Sequence, residues 1–114
     1  MLTMYGIPNC DTCRKARKWL EQESISYEFH DLRVDGLNIE MLTRWAERTD
    51  WQALLNTRSQ TWRKVPQADR EAITMGSALS LMLVQPTLIK RPVLESQAVI
   101  TIGFTPAKYE ELFG

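Results

Sequence analysis

The first third of the chain switches twice between two hydrophobic periods. Residues 2–5 are a short run of strand-forming side chains, and residues 27–32 alternate apolar and polar positions. Between them, residues 13–23 repeat apolar side chains at helical spacing and place charged ones on the other face. A period of about two indicates a strand, and a period of about 3.6 indicates a helix. The pattern therefore predicts a strand, a helix and a second strand, an order typical of a right-handed parallel crossover unit.

The middle of the chain, about residues 37–86, is predicted to form a block of helices. Four helices are expected. The first covers residues 37–48, and the second follows a cap at Thr49. The third begins with Pro66 as its first residue, and the fourth covers residues 78–83 after a break at Gly76 and Ser77. No helix is predicted over residues 56–64, a polar and basic stretch. Pro86 ends the block, since proline cannot continue a helix.

Strand character returns near the end of the chain. Residues 92–95 and 98–102 are predicted strands, joined by a tight hairpin turn at Ser96 and Gln97. A final helix follows, with Thr105 as its cap. The complete order describes an α/β, thioredoxin-like fold with a mixed four-stranded sheet, in which the helical block is inserted between the β-α-β unit and the hairpin. We expect the whole chain of 114 residues to form this single domain.

Composition narrows the classes of function. The 14 basic and 14 acidic side chains cancel to a formal net charge of +0, so we expect no direct nucleic-acid partner. No apolar run approaches the ~18 residues of a membrane span, and the first residues lack the pattern of a signal peptide. We therefore expect a cytoplasmic protein without a membrane partner, and we expect it to be a monomer.

Both cysteines of the chain lie at a two-residue spacing, Cys10-Asp11-Thr12-Cys13, next to the first helical pattern. This spacing suits either a metal site or a redox thiol. A structural zinc ion needs about four ligands, and His30 is the only histidine, so no metal site is expected. In a reducing compartment such a pair is typically catalytic or redox-sensing. Thiol chemistry is therefore the predicted function of the motif.

Cys10 has the sequence setting of an activated thiol. At the ordinary pKa of about 8.5, only about 3% of a cysteine is ionised at pH 7, and a helix start with nearby cations lowers that pKa. The early turns of the predicted helix carry four cations, Arg14, Lys15, Arg17 and Lys18. These cations either hold a thiolate or form a solvated face. Cys13 either resolves a mixed disulfide formed at Cys10 or packs inward as a small hydrophobic side chain.

Two further cations stand apart from this helix. Arg58 lies in a polar stretch, and Arg91 directly precedes Pro92 at a predicted strand start. If the Arg91–Pro92 bond is cis, the backbone of Arg91 can face the active loop and pair with an extended thiol substrate. The alternative is that Pro92 marks an edge strand.

Three separated segments carry a resemblance that spans nearly the whole chain. They are Tyr-Gly-Ile-Pro-Asn-Cys-Asp-Thr-Cys-Arg-Lys-Ala at residues 5–16, Ala-Leu-Leu-Asn-Thr-Arg at 53–58 and Ile-Lys-Arg-Pro-Val-Leu at 89–94. In these segments the chain resembles the ArsC/Spx family of thioredoxin-fold proteins, and most closely its YffB branch. The resemblance implies that Pro92 is the cis-proline of the fold and that Cys10 is the nucleophile. It also implies that Arg58 and Arg91 stabilise an oxyanion or a glutathione adduct.

We therefore expect an enzyme, a glutathione-dependent thiol-disulfide reductase. The Cys10 thiolate attacks a disulfide or a thiol adduct, and glutathione or Cys13 resolves the mixed disulfide. Glutathione is expected as a co-substrate, with no cofactor bound permanently, and glutaredoxin is a further candidate partner. The two carboxylates of glutathione give Arg58, Arg91 and Lys90 a reason to surround the thiol. The other expected glutathione contacts are Asn9, Asp11, Thr12, Arg14 and Pro92.

Two other activities are alternatives. The first is arsenate reduction. Arsenate reductases of the resembled family carry a third arginine just after the last strand, where this chain has Gly103, so bound arsenate would lack one expected contact. Cys13 resembles the second cysteine of the redox-switch pair in Spx, a regulator that binds the RNA polymerase alpha subunit. The alternative from another class is thus an Spx-like redox-sensing regulator with that subunit as its partner.

Overall fold

The structure is a computed structural model that describes residues 1–114. The strands are β1 (Thr3–Gly6), β2 (Glu28–Asp31), β3 (Val93–Glu95) and β4 (Ile100–Ile102). The α-helices are α1 (Asp11–Gln22), α2 (Ile39–Arg48), α3 (Trp51–Leu54), α4 (Gln60–Lys64), α5 (Gln67–Glu71), α6 (Met75–Val84) and α7 (Pro106–Phe113). The chain divides into a first unit, Met1–Gly36 with Arg91–Gly114, and a second unit, Leu37–Lys90. None of the helices is both long and apolar enough to span a membrane.

The sheet of the first unit joins both ends of the chain. Its strand order is β2-β1-β3-β4. β1 pairs in parallel with β2, where Met4 lies opposite Phe29, and antiparallel with β3, where Met4 lies opposite Leu94. β4 pairs antiparallel with β3. The predicted thioredoxin-like α/β fold with a mixed four-stranded sheet is therefore confirmed, and β1, which leads into the Cys10 loop, is held between two neighbours.

One cluster of side chains packs α1 and α7 on this sheet. Its fully buried members are Met4, Ala16, Leu20, Leu94 and Tyr109. Ala16 and Leu20 lie on one face of α1, because residues four positions apart are neighbours on a helix surface. Burial of apolar surface contributes about 25 cal/mol per Å². The cluster therefore holds the helix that follows Cys10 firmly against the sheet.

In the first unit the strands are shifted or shortened by one or two residues relative to the prediction, and the start of α1 and the turn between β3 and β4 also differ. α1 begins at Asp11, earlier than the predicted start at residue 13. The turn between β3 and β4 is longer than the predicted one and is closed by the Ser96 N–H, which donates to the Val99 carbonyl at 2.7 Å. The Ser96 hydroxyl also accepts the Val99 N–H at 3.2 Å. A serine side chain that hydrogen-bonds nearby backbone stabilises such a turn.

The second unit is helical, in keeping with the helical block predicted at residues 37–86. Its α2 and α6 bury Leu42, Trp45, Ala46, Ala78, Leu79 and Met82. A short 3-10 helix, Pro86–Leu88, follows α6. Two segments then run antiparallel, with Leu55 bridging Ile89 and the Lys90 N–H donating to the Leu54 carbonyl at 2.8 Å. This pairing ties together the stretches that lead to Arg58 and to Arg91.

Two helix caps in the second unit differ from the predicted ones. Asp50 caps α3, since its carboxylate accepts the Gln52 N–H at 3.0 Å. Thr49, the predicted cap, instead donates its hydroxyl to the Trp45 carbonyl of the preceding helix at 2.6 Å. Pro66 is the residue before α5 rather than its first helical residue. Each helix therefore starts one residue later than predicted, with Asp50 and Pro66 in the N-cap positions.

Local hydroxyl caps also start two helices where the prediction placed breaks or loops. Gly76 and Ser77 lie inside α6, because Thr74 and Ser77 form a capping box. The Ser77 N–H donates to Oγ1 of Thr74 at 3.3 Å, and the Thr74 N–H donates to Oγ of Ser77 at 2.9 Å. Ser59 caps α4, which lies in the polar stretch where no helix was predicted. Hydrophobic periodicity does not report such caps.

Candidate active site

Cys10 is the N-cap residue of α1. Its backbone is extended, with φ −140° and ψ 121°, and its carbonyl accepts the Arg14 N–H at 2.9 Å. The first amides of a helix lack intrahelical partners, and the helix dipole places partial positive charge at this end. Because α1 begins at Asp11, the Cys10 sulfur lies at that positive end. The thiol is free and half-buried.

The surroundings of Cys10 favour its thiolate. Partial burial is the largest influence, and it opposes ionisation by raising the pKa. It is outweighed by the backbone amide and thiol of Cys13 and by the Arg91 guanidinium, which acts through a hydrogen bond and through its charge. The pKa of Cys10 is therefore lower than the ordinary value of a cysteine. Since the thiolate is the nucleophilic form of cysteine, the setting suits thiol chemistry.

Arg91 reaches the site from the other end of the chain. The Arg91–Pro92 peptide bond is cis, as the family resemblance implied. Val93 pairs with Tyr5 in the antiparallel ladder of β1 and β3. The start of β3 therefore lies beside the end of β1, where the loop that carries Cys10 begins. This register explains why a cation so distant in sequence acts on the thiol.

Cys13 is the third residue of α1 and is 0% exposed. Burial, reinforced by the neighbouring Cys10, raises the pKa of its thiol to about 11, against opposing effects of the Ile7 backbone and the Arg91 charge. Cys13 therefore stays a neutral thiol at neutral pH, and a neutral thiol can donate a hydrogen bond. The two cysteines of the motif are chemically unequal, which their spacing alone does not reveal.

Gly6 approaches the same thiol from the sheet. It is the last residue of β1 and is buried. A Cβ at this position would lie 2.7 Å from Sγ of Cys13 and 3.5 Å from Cε1 of Phe29. The sequence pattern presented Gly6 only as the end of a strand. A glycine inside a strand also indicates a close approach of another atom, and this is the signal that could have identified it.

Four other predicted contacts lie in and beside the first turn of α1. Asn9 and Asp11 are exposed neighbours of Cys10 in the chain, and Thr12 is half-buried. Arg14 is exposed and forms an ion pair with Asp11. The cation that lowers the pKa of Cys10 is Arg91. The exposed side chains of this turn are therefore available to a ligand of the thiol.

The remaining cations of α1 differ from one another. Arg17 lies over the Phe29 ring, 4.3 Å from its centroid, and its Nε donates to the Tyr27 hydroxyl at 3.2 Å. These contacts give Arg17 a structural role on the sheet side of the helix. Lys15 and Lys18 are exposed. They form the solvated face that was one of the two interpretations of this basic run.

Arg58 and Lys90 lie in the second unit, on the two segments that pair there. The Arg58 N–H donates to Oδ1 of Asn56 at 3.1 Å, and the Lys90 N–H donates to the Leu54 carbonyl at 2.8 Å. Both residues are exposed. Their contact with glutathione stays a prediction.

Gly103 follows β4 in the first unit. It is buried, has a φ of 78°, and donates its N–H to the Pro92 carbonyl at 2.9 Å. A positive φ favours glycine over residues that carry a side chain. The backbone here therefore does not suit the third arginine that the resemblance assigns to arsenate reductases.

The fold is that of a thioredoxin-like protein, with a free cysteine at the start of its first helix and a cis-proline before its third strand. The chain belongs to the ArsC family, whose model matches residues 5–112. Two solved structures support this placement. A protein described as YffB has a TM-score of 0.94 and 39% identity, with 100% of both chains covered. An arsenate reductase related protein from Brucella melitensis has a TM-score of 0.82 and 47% identity, covering 98% of this chain and 93% of its own.

Curated relatives extend the comparison to regulators. An uncharacterized protein of Haemophilus influenzae is 42% identical over 113 residues, which are 99% of each chain. The global transcriptional regulator Spx of Enterococcus faecalis is 31% identical over 106 residues, which are 91% of this chain and 80% of the regulator. The resemblance to the ArsC/Spx family and to YffB is therefore confirmed. The relatives include proteins named for arsenate reductase and for transcriptional regulation.

Proposed function

We propose that this protein is a glutathione-dependent thiol-disulfide reductase whose nucleophile is the Cys10 thiolate. The observation that carries the proposal is the position of Cys10 at the start of α1, beside Arg91, where its pKa is lowered. Helix start and guanidinium both stabilise negative charge on sulfur. A lowered pKa raises the thiolate fraction at a given pH, and the thiolate is the form that attacks in thiol exchange.

The reaction would proceed in two exchanges. The Cys10 thiolate attacks one sulfur of a disulfide between a substrate thiol and glutathione, the disulfide bond breaks, and the substrate leaves as a thiolate that takes up a proton. Cys10 then carries the glutathione as a mixed disulfide. A second glutathione, as its thiolate, attacks that glutathione sulfur and releases Cys10 as thiolate together with oxidised glutathione. Overall, the substrate–glutathione disulfide and one reduced glutathione become the substrate thiol and oxidised glutathione.

Burial of Cys13 supports glutathione, rather than Cys13, as the group that resolves the mixed disulfide. The Cys13 thiol is 0% exposed, and its pKa is raised to about 11 by burial. An attacking thiol exchanges fastest when its pKa is near the ambient pH. The raised pKa therefore makes Cys13 a slow attacking thiol at neutral pH, which favours glutathione in the resolving step.

The cations expected to bind glutathione are Arg58, Lys90 and Arg91. Glutathione carries two carboxylates, and a guanidinium can bind a carboxylate with two parallel hydrogen bonds. Of these cations, Arg91 lies in the first unit beside Cys10. Arg58 and Lys90 are exposed on the paired segments of the second unit. Under this proposal, replacing either of the two by alanine raises KM for glutathione more than it lowers kcat.

The test is reduction of a glutathione mixed disulfide by the purified protein in the presence of reduced glutathione. Cys10→Ser should abolish turnover, because the nucleophile is lost, and Cys13→Ser should retain it. Full activity of Cys10→Ser would overturn the proposal. Loss of activity in a folded Cys13→Ser variant, with an adduct accumulating on Cys10, would transfer the resolving step to Cys13.

A second candidate function is an Spx-like redox-sensing regulator that docks on the RNA polymerase alpha subunit. The observations that favour it are the 31% identity to a regulator named Spx and the pair of free cysteines, Cys10 and Cys13. A pull-down with the purified alpha subunit, under reducing and oxidising conditions, tests it directly. Binding in one redox state only would favour the regulator, and absence of binding in both states would exclude it.

Arsenate reduction is a third candidate, favoured by the 47% identity to an arsenate reductase related protein. The buried glycine with φ 78° at position 103 argues against a third arginine contact with the oxyanion. The same purified protein can be assayed with arsenate and glutathione. We expect turnover with arsenate to be far slower than turnover with a glutathione mixed disulfide.

A further inference from the structure

Gly6 is a glycine for reasons of space rather than of backbone conformation. The glycines with a positive φ are Gly36 and Gly103, and Gly6 is not among them. A Cβ on Gly6 would lie 2.7 Å from Sγ of Cys13. Non-bonded atoms are at their optimum at about 3.5–4.0 Å. A side chain at this position would therefore displace either the strand or the thiol.

The strand is the more constrained side of this contact. β1 is a central strand, and Gly6 pairs with Asp31 in a ladder that also pairs Met4 with Phe29. Moving β1 would disturb this ladder and the cluster built on Met4. Cys13 has a single side-chain rotation, χ1, which moves only its sulfur. We therefore expect an added methyl group on Gly6 to turn the Cys13 thiol away from its place.

The position of the Cys13 thiol affects the Cys10 sulfur. In a helix start, the N-cap side chain and the third helical residue face each other, as they do in a capping box. Cys10 is the N-cap of α1 and Cys13 is its third residue. The Cys13 thiol is hydrogen-bonded to the Cys10 sulfur. It is buried, and Gly6 borders it on the sheet side.

We propose that Gly6 is a positioning residue of this site. The space left by its missing side chain holds the Cys13 thiol where that thiol donates a hydrogen bond to the Cys10 thiolate. Gly6 acts through Cys13 and not on the substrate. The inference rests on the proposed function, because it concerns the thiolate that the reductase uses. Loss of one hydrogen bond to a charged acceptor lowers the acid dissociation constant of Cys10 by about tenfold.

The experiment measures the pH dependence of Cys10 alkylation by iodoacetamide, with the modified residue identified by mass spectrometry. The variants are Gly6→Ala, Cys13→Ala and the double variant. We expect each single variant to lower the acid dissociation constant of Cys10 by about tenfold. The double variant should match Cys13→Ala, because the sulfur that the added methyl group would meet is then absent.

Two controls separate positioning from general damage. Gly76→Ala adds the same methyl group where the nearest neighbour is Oγ1 of Thr74 at 4.0 Å, so the Cys10 profile should not move. Cys13→Ser keeps a donor at the same position, so its profile should stay within about threefold of the wild type. A folded Gly6→Ala variant with an unchanged profile overturns the proposal. A Gly6→Ala effect that persists in full on top of Cys13→Ala overturns it as well.

If Gly6→Ala does not fold, the alkylation profile of the double variant tests the proposal. A folded double variant with the profile of Cys13→Ala supports the proposal, and failure of both variants to fold overturns it, because the conflict is then not with the thiol. Alkylation needs no disulfide substrate. A profile that follows the proposal in a protein without reductase activity would therefore refute the proposed function and leave the role of Gly6 standing.

Discussion

The two sulfur atoms of the site differ because of what surrounds each one. Cys10 lies at the helix start and beside Arg91, both of which stabilise negative charge, whereas Cys13 is fully buried. Their mutual interaction widens the difference, since it lowers the pKa of Cys10 and raises that of Cys13. This arrangement raises the thiolate fraction of Cys10, while Cys13 stays a neutral thiol at neutral pH.

Replacing Arg91 by alanine is expected to weaken the nucleophile. Arg91→Ala removes a hydrogen bond and a positive charge from the Cys10 thiolate, so the pKa of Cys10 rises. We expect kcat/KM of the proposed reductase to fall by about tenfold or more. Alkylation and activity measured against pH check both effects. Arg14→Ala is the comparison, since Arg14 pairs with Asp11, and an equally large pKa shift in that variant would contradict the role of Arg91.

Burial of Cys13 predicts a loss of stability at alkaline pH. Its folded pKa of about 11 lies above the ordinary value of 9.0, so the folded state holds the proton more tightly than the unfolded state. The resulting stabilisation is complete below the unfolded pKa and is lost as the pH rises through the folded pKa. Between about pH 8 and 10.5 we expect the free energy of unfolding to fall by about 2 kcal/mol through this group. Urea denaturation should show a smaller decline in Cys13→Ala, and equal declines would contradict the raised pKa.

At the scale of elements, α1 starts with a residue suited to chemistry rather than to capping. The Cys10 side chain makes no capping hydrogen bond as a thiol. Other helices begin with side chains that do accept one, namely Asn38, Asp50, Ser59, Thr74 and Thr105. Asn, Asp, Ser and Thr are the preferred N-cap residues. The first amides of α1 are thereby left to stabilise the Cys10 thiolate or an anionic ligand.

A side chain that caps α1 at position 10 is therefore expected to raise the free energy of unfolding. Cys10→Ser should be more stable than Cys10→Ala by about 1 kcal/mol, because a serine hydroxyl accepts the amide hydrogen bond that alanine cannot. Both variants lack the thiolate, so their difference isolates the cap. Urea denaturation at neutral pH measures it. Equal stability of the two variants would contradict the assignment of this position as the N-cap.

Periodicity predicted the elements that bury one face, and it failed where a local side chain decides. β1, α1 and β2 follow their hydrophobic periods closely, since each packs one face into the same core. α6 begins earlier than its apolar run because the hydroxyls of Thr74 and Ser77 cap it. α4 has no buried residue, so its sequence has no hydrophobic periodicity that could predict it. Such short polar helices depend on their caps and their surroundings.

At the scale of the whole molecule, the site draws on chain segments that are far apart in sequence. The first unit combines Met1–Gly36 with Arg91–Gly114, and the pairing of β1 with β3 brings the start of β3 to the Cys10 loop. No local pattern predicts that pairing; the family resemblance implied only that Pro92 is the cis-proline and that Arg91 acts at the site. The approach of Gly6 to Cys13 escaped prediction because it depends on how α1 packs against β1.

Cys10 is central to the proposed function as the thiolate that exchanges with glutathione. The most direct measurement is mass spectrometry of the intact protein after reaction with oxidised glutathione and again after addition of reduced glutathione. We predict one glutathione adduct, located on Cys10, in the wild type and in Cys13→Ser, released by reduced glutathione in both. A Cys10–Cys13 disulfide as the stable product in the wild type would transfer the resolving step to Cys13. Absence of any adduct on Cys10, or an adduct that persists in Cys10→Ser, would contradict the proposed function.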